Sequence, residues 1–206
     1  MNRYDLRIYL AHILFWLAFA AANVYARLRG GPPPKAAPAA ASSTAGHAES
    51  LRAPHASLLV WIHAAAFAVL FFGVGRAVFN DRAPFQPPAW RVAIGAAIIA
   101  VGAVLACWAR VSFASWRIRA QLDAGHQLAT GGPFAVIRNP IYSAMNLLAL
   151  GTALWVNNAG VWLGVLLMAL GGELRARAEE PLLEQAFGDE YREYRRRTWR
   201  FVPGIY

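Results

Sequence analysis

Residues 141–172 read IYSAMNLLALGTALWVNNAGVWLGVLLMALGG, thirty-two consecutive positions from Ile141 to Gly172 without a charged side chain. As one helix this run would be about 48 Å long at a rise of roughly 1.5 Å per residue. A bilayer's hydrocarbon core is only about 30 Å thick. Asn157-Asn158-Ala159-Gly160 lies at the centre of the run, and such residues favour turns. The reading is therefore a helical hairpin over 140–174, two short helices and a tight turn.

Three more apolar runs lie upstream. The first spans about Leu6 to Ala26 and is closed by Arg27 and Arg29. A signal peptide competes for this run, but its apolar stretch is long for one. The second covers about Ser57 to Phe79, with His63 and Arg76 inside it. The third covers about Trp90 to Ala109, where Gly95, Gly102 and many alanines permit close helix packing. The chain is 58% hydrophobic and 15% charged over 206 residues, with a mean hydropathy of +0.35. Soluble domains carry about 25% charged residues. The expected class is an all-α integral membrane protein of five transmembrane helices, with a cytoplasmic helical region at the C-terminal end.

The expected organisation is one membrane domain, 1–206. Its parts are a first span (1–29), a low-complexity loop (30–56), two spans (57–110) and a catalytic or cofactor region (111–206). The loop contains Gly-Gly-Pro-Pro-Pro and alanine-rich stretches, which carry too little apolar surface to order themselves. The net charge is +9. Its basic residues are divided among loops, and no nucleic-acid-binding motif accompanies them, so nucleic acid is not an expected partner. Cytoplasmic loops collect Lys and Arg. Five spans with a cytoplasmic C-terminus place 15 of the 20 basic residues inside. The expected location is the bacterial inner membrane, multi-pass, with the active site facing the cytoplasm and membrane lipids as surroundings. Cys107 is the one cysteine, which excludes an intrachain disulfide and fits core packing. No metal site is expected.

Chemistry concentrates on either side of the hairpin. Gly131-Gly132-Pro133-Phe134 allows a positive φ and a close backbone approach. Asn139 and Pro140 are a favourable helix cap and first residue, and a helix N-terminus attracts anions. Arg138 beside them would add positive charge. After the hairpin, the helix is expected to continue through Glu173, Arg175, Arg177, Glu179 and Glu180. Arg175 and Glu179 then share a face, either as a wet surface pair or as the lining of a pocket at the bilayer surface. Pro181 is expected to bend or restart the helix. Gln185 to Arg197 reads as a basic amphipathic helix facing headgroups.

The order and spacing of these pieces resemble the isoprenylcysteine carboxyl methyltransferase family of membrane enzymes. Phospholipid methyltransferases share a related C-terminal pattern. The similarity covers about residues 119–203. It lies in His126-Gln127-Leu128-Ala129 with Gly132-Pro133-Phe134, then Arg138-Asn139-Pro140-Ile141-Tyr142, then Glu179-Glu180 through Phe187-Gly188, Tyr191 and Tyr194. The resemblance implies S-adenosylmethionine as methyl donor and a lipophilic or lipid-anchored acceptor, a carboxylate among the candidates. It implies a donor pocket of Arg119, His126, Gln127, Leu128, Ala129, Phe134, Arg138, Asn139, Pro140, Ile141, Tyr142 and Glu179. It implies Arg175 as the substrate-binding arginine, with Arg175 and Glu179 as the catalytic pair. Asn139 stands where the family usually has His, Phe134 where it has Tyr, Ala129 where it has Val, and Arg119 where the eukaryotic enzymes have Gln. Two alternatives share such a fold: an NADPH-dependent membrane reductase of the sterol-reductase type, and a non-catalytic membrane protein.

Overall fold

The computed structural model describes residues 6–29, 51–52, 56–79, 86–113, 121–122 and 128–206. Arg119, His126 and Gln127 of the expected donor pocket lie outside the described residues, as does most of the 30–56 segment. The helices are α1 (Arg7–Arg29), α2 (Ala56–Val78), α3 (Ala89–Ser112), α4 (Pro140–Val156), α5 (Ala159–Phe187) and α6 (Asp189–Arg197). Two-residue strands β1 (Leu51–Arg52) and β2 (Gln121–Leu122) pair antiparallel. They tie the α1–α2 connection to the α3–α4 connection.

The hairpin forms as its sequence requires. Asn157 ends α4 in the left-handed region at φ 43°, and Asn158 begins α5 by accepting from the Val161 amide at 2.9 Å. The span count comes out differently. Four helices, α1, α2, α3 and α5, are long and apolar enough to cross a membrane. α4 has only 17 residues, about 25 Å of helix. Its shortness goes with its place. Twelve of its residues are buried, because α4 lies between α3 and α5 while α1 packs on α3 and α2 on α5.

Close approach along α4 depends on glycine. A Cβ on Gly95 of α3 would lie 2.6 Å from the Gly151 carbonyl, and a Cβ on Gly151 would lie 2.6 Å from the Gly95 carbonyl. Backbone meets backbone at this crossing, as small residues allow between membrane helices. The surrounding core joins Phe15, Phe19, Leu70, Val74, Ile99, Leu148, Val161 and Met168 from all five long helices. Several polar side chains of the bundle bond across helices. His12 shares a hydrogen bond with Thr152 at 2.8 Å, Arg110 donates to Asn23 at 2.5 Å, and Asn158 donates to the Gly73 carbonyl at 2.7 Å.

α5 passes the end of the charge-free run without a break. Of the two expected outcomes at Pro181, a restart does not occur, and the helix continues to Phe187. The amide that proline lacks would have served the carbonyl of Arg177. Arg177 is exposed, so water can serve that carbonyl. α6 starts at Asp189 rather than Gln185, because Gly188 turns the chain at φ 54°, ψ −123°. Three arginines of α6 face acidic side chains: Arg192 pairs with Asp189 and Glu184, Arg195 with Glu184, and Arg196 with Glu193.

Candidate active site

The site is assembled around the N-terminal end of α4. Gly132–Ala135 forms a single 3-10 turn. Gly132 sits at φ 59°, and a Cβ there would run into Ser112 and lie 3.1 Å from the Trp108 indole nitrogen. The turn lodges Phe134 with Ala109 and Ile141, against Phe113 and Ala129. The Tyr194 hydroxyl donates to the Phe134 carbonyl at 2.8 Å. Burial pushes the Tyr194 phenol up from its ordinary range, which keeps it a donor. Thus α6 clamps the glycine turn against α3.

The chain end returns to the same place. Ile137 and Trp199 form a parallel bridge. The Arg138 amide donates to the Trp199 carbonyl at 2.7 Å, and the Trp199 amide to the Val136 carbonyl at 2.9 Å. Asn139 occupies the cap position of α4, but its side chain caps nothing. Its backbone amide and its side-chain amide both reach the Arg200 carbonyl, at 3.2 and 3.4 Å. Ser143 donates to the Phe201 carbonyl at 2.8 Å. The expected side-chain cap at Asn139 is therefore corrected. The returning segment competes successfully for that side chain.

Arg138 also differs from the sequence picture of a bare cation beside a helix N-terminus. Its guanidinium contacts Glu180 at 3.3 Å and the carbonyls of Arg195 and Thr198. Glu180 in turn receives Arg200 at 3.0 and 2.6 Å. Its hydrogen bonds to Glu180 push the Arg200 guanidinium further up, so it stays charged. Arg200 also reaches Glu173 at 2.9 Å. Glu180, whose side chain is 8% exposed, is thereby a strut between two arginines rather than an accessible base. No local signal in the sequence connects Glu180 with Arg200, twenty positions on.

Glu179, the next residue round the helix, has different company. The Tyr142 hydroxyl donates to Glu179 Oε1 at 2.5 Å. Arg175 reaches the same oxygen at 3.4 Å, with side-chain exposures of 9% and 24% for Arg175 and Glu179. The pair is mostly buried, not a wet surface pair. The Arg175 guanidinium lies 5.0 Å from the Tyr142 ring centre. His63, from α2, stacks on Tyr142 at 5.7 Å and 29°. Sequence reasoning placed His63 only as a polar residue inside a span, since nothing local links α2 to α4.

Tyr142, Arg175 and Glu179 thus converge where the apolar bundle gives way to the charged end of α5. Ile141 and Phe134 lie in the adjoining apolar cluster, with Ala129 packed against it. Leu128 is half-buried and Pro140 buried. A carboxylate accepts up to about four hydrogen bonds, and both Glu179 contacts fall on Oε1. The arrangement can hold a cationic or hydroxyl-bearing group at Glu179 and an anionic group at Arg175.

Residues 90–190 match the phospholipid methyltransferase family. A 63-residue stretch, 30% of this chain, is 36% identical to an uncharacterised protein of Haemophilus influenzae and covers that protein's full length. The matched family region contains α3, α4, the glycine turn, Arg175 and Glu179. His63, α6 from Tyr191 onward and the returning C-terminal segment lie outside it.

Proposed function

We propose, from the premise that the chain belongs to the phospholipid methyltransferase family, that it is an S-adenosylmethionine-dependent methyltransferase acting on a lipophilic or lipid-anchored acceptor. The observation that carries this reading is the Tyr142–Glu179–Arg175 cluster at the junction of apolar bundle and charged helix. S-adenosylmethionine supplies a methyl group already activated on a sulfonium. Its amino, hydroxyl and sulfonium groups are matched by Glu179, and its flat base by the apolar cluster of Phe134, Ile141 and Ala129. Leu128, Asn139, Pro140 and Tyr142 complete the donor side among the described residues. Arg138 supports this wall from behind through Glu180.

The chain's own contribution is alignment and exclusion of water. Methyl transfer from a sulfonium to an anion cancels charge, and a site depleted of water favours such a step. Arg175 offers a planar two-pronged donor, suited to a carboxylate or phosphate on the acceptor. Glu179 fixes Arg175 and Tyr142 together, so donor and acceptor meet in one geometry. The acceptor's tail would lie in the bilayer and enter between helices.

Calorimetry on detergent-purified protein tests the donor. S-adenosylhomocysteine is expected to bind and NADPH not to bind. The reverse result would establish the reductase reading, and binding of neither would leave a non-catalytic protein. We place α4 as a fifth, short span, with the C-terminus and active site on the cytoplasmic side of the bacterial inner membrane. The arginine-rich loops support this orientation. A reporter fused after Tyr206 should be active only in a cytoplasm-reporting format. Activity of a periplasmic reporter there overturns it.

A further inference from the structure

His63 is 5% exposed, and neither ring nitrogen has a hydrogen-bond partner among the described residues. That sets it apart from His12, the other buried histidine of the bundle, whose Nε2 is bonded to Thr152. A buried polar group without a partner is costly to keep, and such groups inside membrane bundles mark functional sites. His63 is also confined. Its ring stacks on Tyr142, and a Cβ on Gly171 of α5 would lie 3.1 Å from Nδ1. A glycine at 171 leaves room for the ring between α2, α4 and α5. Asn146, one turn beyond Tyr142 on α4, adds a second buried atom without a partner, Oδ1. Its amide lies near Gly172, the next residue of α5. Two side chains with buried polar atoms left without partners, from separate helices, therefore adjoin the Tyr142–Glu179–Arg175 cluster.

We propose that His63 is a catalytic residue of this site: its imidazole contacts the acceptor's heteroatom and takes the proton that methylation displaces. This rests on the methyltransferase reading. It sharpens the acceptor class to a lipophilic molecule bearing an N–H or S–H nucleophile, instead of a carboxylate that is already ionised. In the step, the acceptor's lone pair forms the new bond to the methyl carbon. The carbon–sulfur bond breaks with its electron pair going to sulfur, leaving neutral S-adenosylhomocysteine. The acceptor's proton passes to the ring nitrogen of His63 that faces it. The charged and titratable groups around the ring are Tyr142 on α4 and Arg175 and Glu179 on α5. Glu179 is already engaged by Tyr142 and Arg175 and Glu180 by two arginines, so among the described residues His63 is the basic group of this site left with both bonding positions open.

Three probes with one tail and different heads separate the possibilities: 1-dodecanethiol, dodecylamine and dodecanoate. Each is presented in detergent micelles to the full-length protein with radiolabelled S-adenosylmethionine. The wild type is expected to methylate the thiol or the amine and to leave dodecanoate unmodified. His63→Gln keeps the size and hydrogen bonding but not the basicity. It should bind S-adenosylhomocysteine as the wild type does, and lose on the order of 100-fold in turnover, within the range a general base contributes. Its remaining rate should climb with pH as the acceptor ionises unaided, while the wild-type rate levels off. Transfer by the wild type to dodecanoate alone, transfer to neither the thiol nor the amine, or wild-type turnover in His63→Gln each overturns the proposal. Loss of S-adenosylhomocysteine binding in His63→Gln would also overturn it, moving His63 to the donor side. Absence of such binding in the wild type is a separate result, and it removes the methyltransferase reading itself.

Discussion

The crossing of α3 with α4 and the charged end of α5 are held together in opposite ways. At Gly95 and Gly151 the two backbones touch, and no side chain mediates the contact. At the charged end of α5, Arg138, Glu180, Arg200 and Glu173 instead bond through directed side-chain contacts. In the bilayer, lipid tails are as apolar as the helix surfaces, so burying apolar area adds little to helix association and shape must supply it. Outside it, water competes for every polar group, and only shielded, well-paired charges hold a fixed geometry. The candidate site lies where these regimes meet. Tyr142 belongs to the shape-packed helix, and Glu179 to the charge-bonded one.

Substitutions can test this contrast, beginning with the largest effect. Glu180→Ala leaves Arg138 and Arg200 facing each other without their shared carboxylate. Removing one member of a buried charge network typically costs about 3–5 kcal/mol. The returning segment around Trp199 to Phe201 should detach, seen as faster amide exchange there and a lower thermal midpoint. An unchanged midpoint would mean that charge bonding does not hold this end.

Arg175→Ala comes next. Under the proposed function it should preserve S-adenosylhomocysteine affinity and cut methyl transfer by on the order of 100-fold, as for loss of a group aimed at reacting atoms. Arg175→Lys should recover only part, because an ammonium lacks the planar two-pronged contact. Wild-type turnover in Arg175→Ala would reduce the residue to a structural partner of Glu179 and Tyr142.

Gly95→Ala probes the other regime. Its methyl group would meet the Gly151 carbonyl and the Trp155 side chain, and overpacking costs about 1–3 kcal/mol. The loss should appear as a lower midpoint in detergent. At Gly131, where a Cβ meets nothing within 4 Å, the same change should cost much less. Equal effects at both positions would remove the case for backbone contact.

The smallest stability effect is expected at Asn139. An N-cap side chain is worth about 1 kcal/mol where it caps, but Asn139 makes no side-chain cap, and its side-chain bond to Arg200 is long at 3.4 Å. Asn139→Ala should therefore shift the midpoint only slightly. A drop in S-adenosylhomocysteine affinity without a drop in stability would assign the side chain to the donor. A full loss of capping energy would show that it caps in solution.

Local signals determined much of this molecule. The charge-free run from Ile141 to Gly172, broken by paired asparagines, specified a hairpin because a turn must interrupt so long an apolar stretch. Asn139-Pro140 marked the start of α4, because proline restricts the backbone wherever it stands. The order of motifs from His126 to Tyr194 identified the family. Tertiary structure decided what separation in sequence conceals. It shortened α4 into a buried central helix, carried α5 past Pro181, and gave the Asn139 side chain to Arg200 instead of the helix end. It paired Glu180 with arginines 42 residues before it and 20 after it, and brought His63 from α2 onto the ring of Tyr142. The physical reason is the same in each case. Propensity and capping act over a few residues, whereas burial in a membrane bundle forces distant polar groups to find one another.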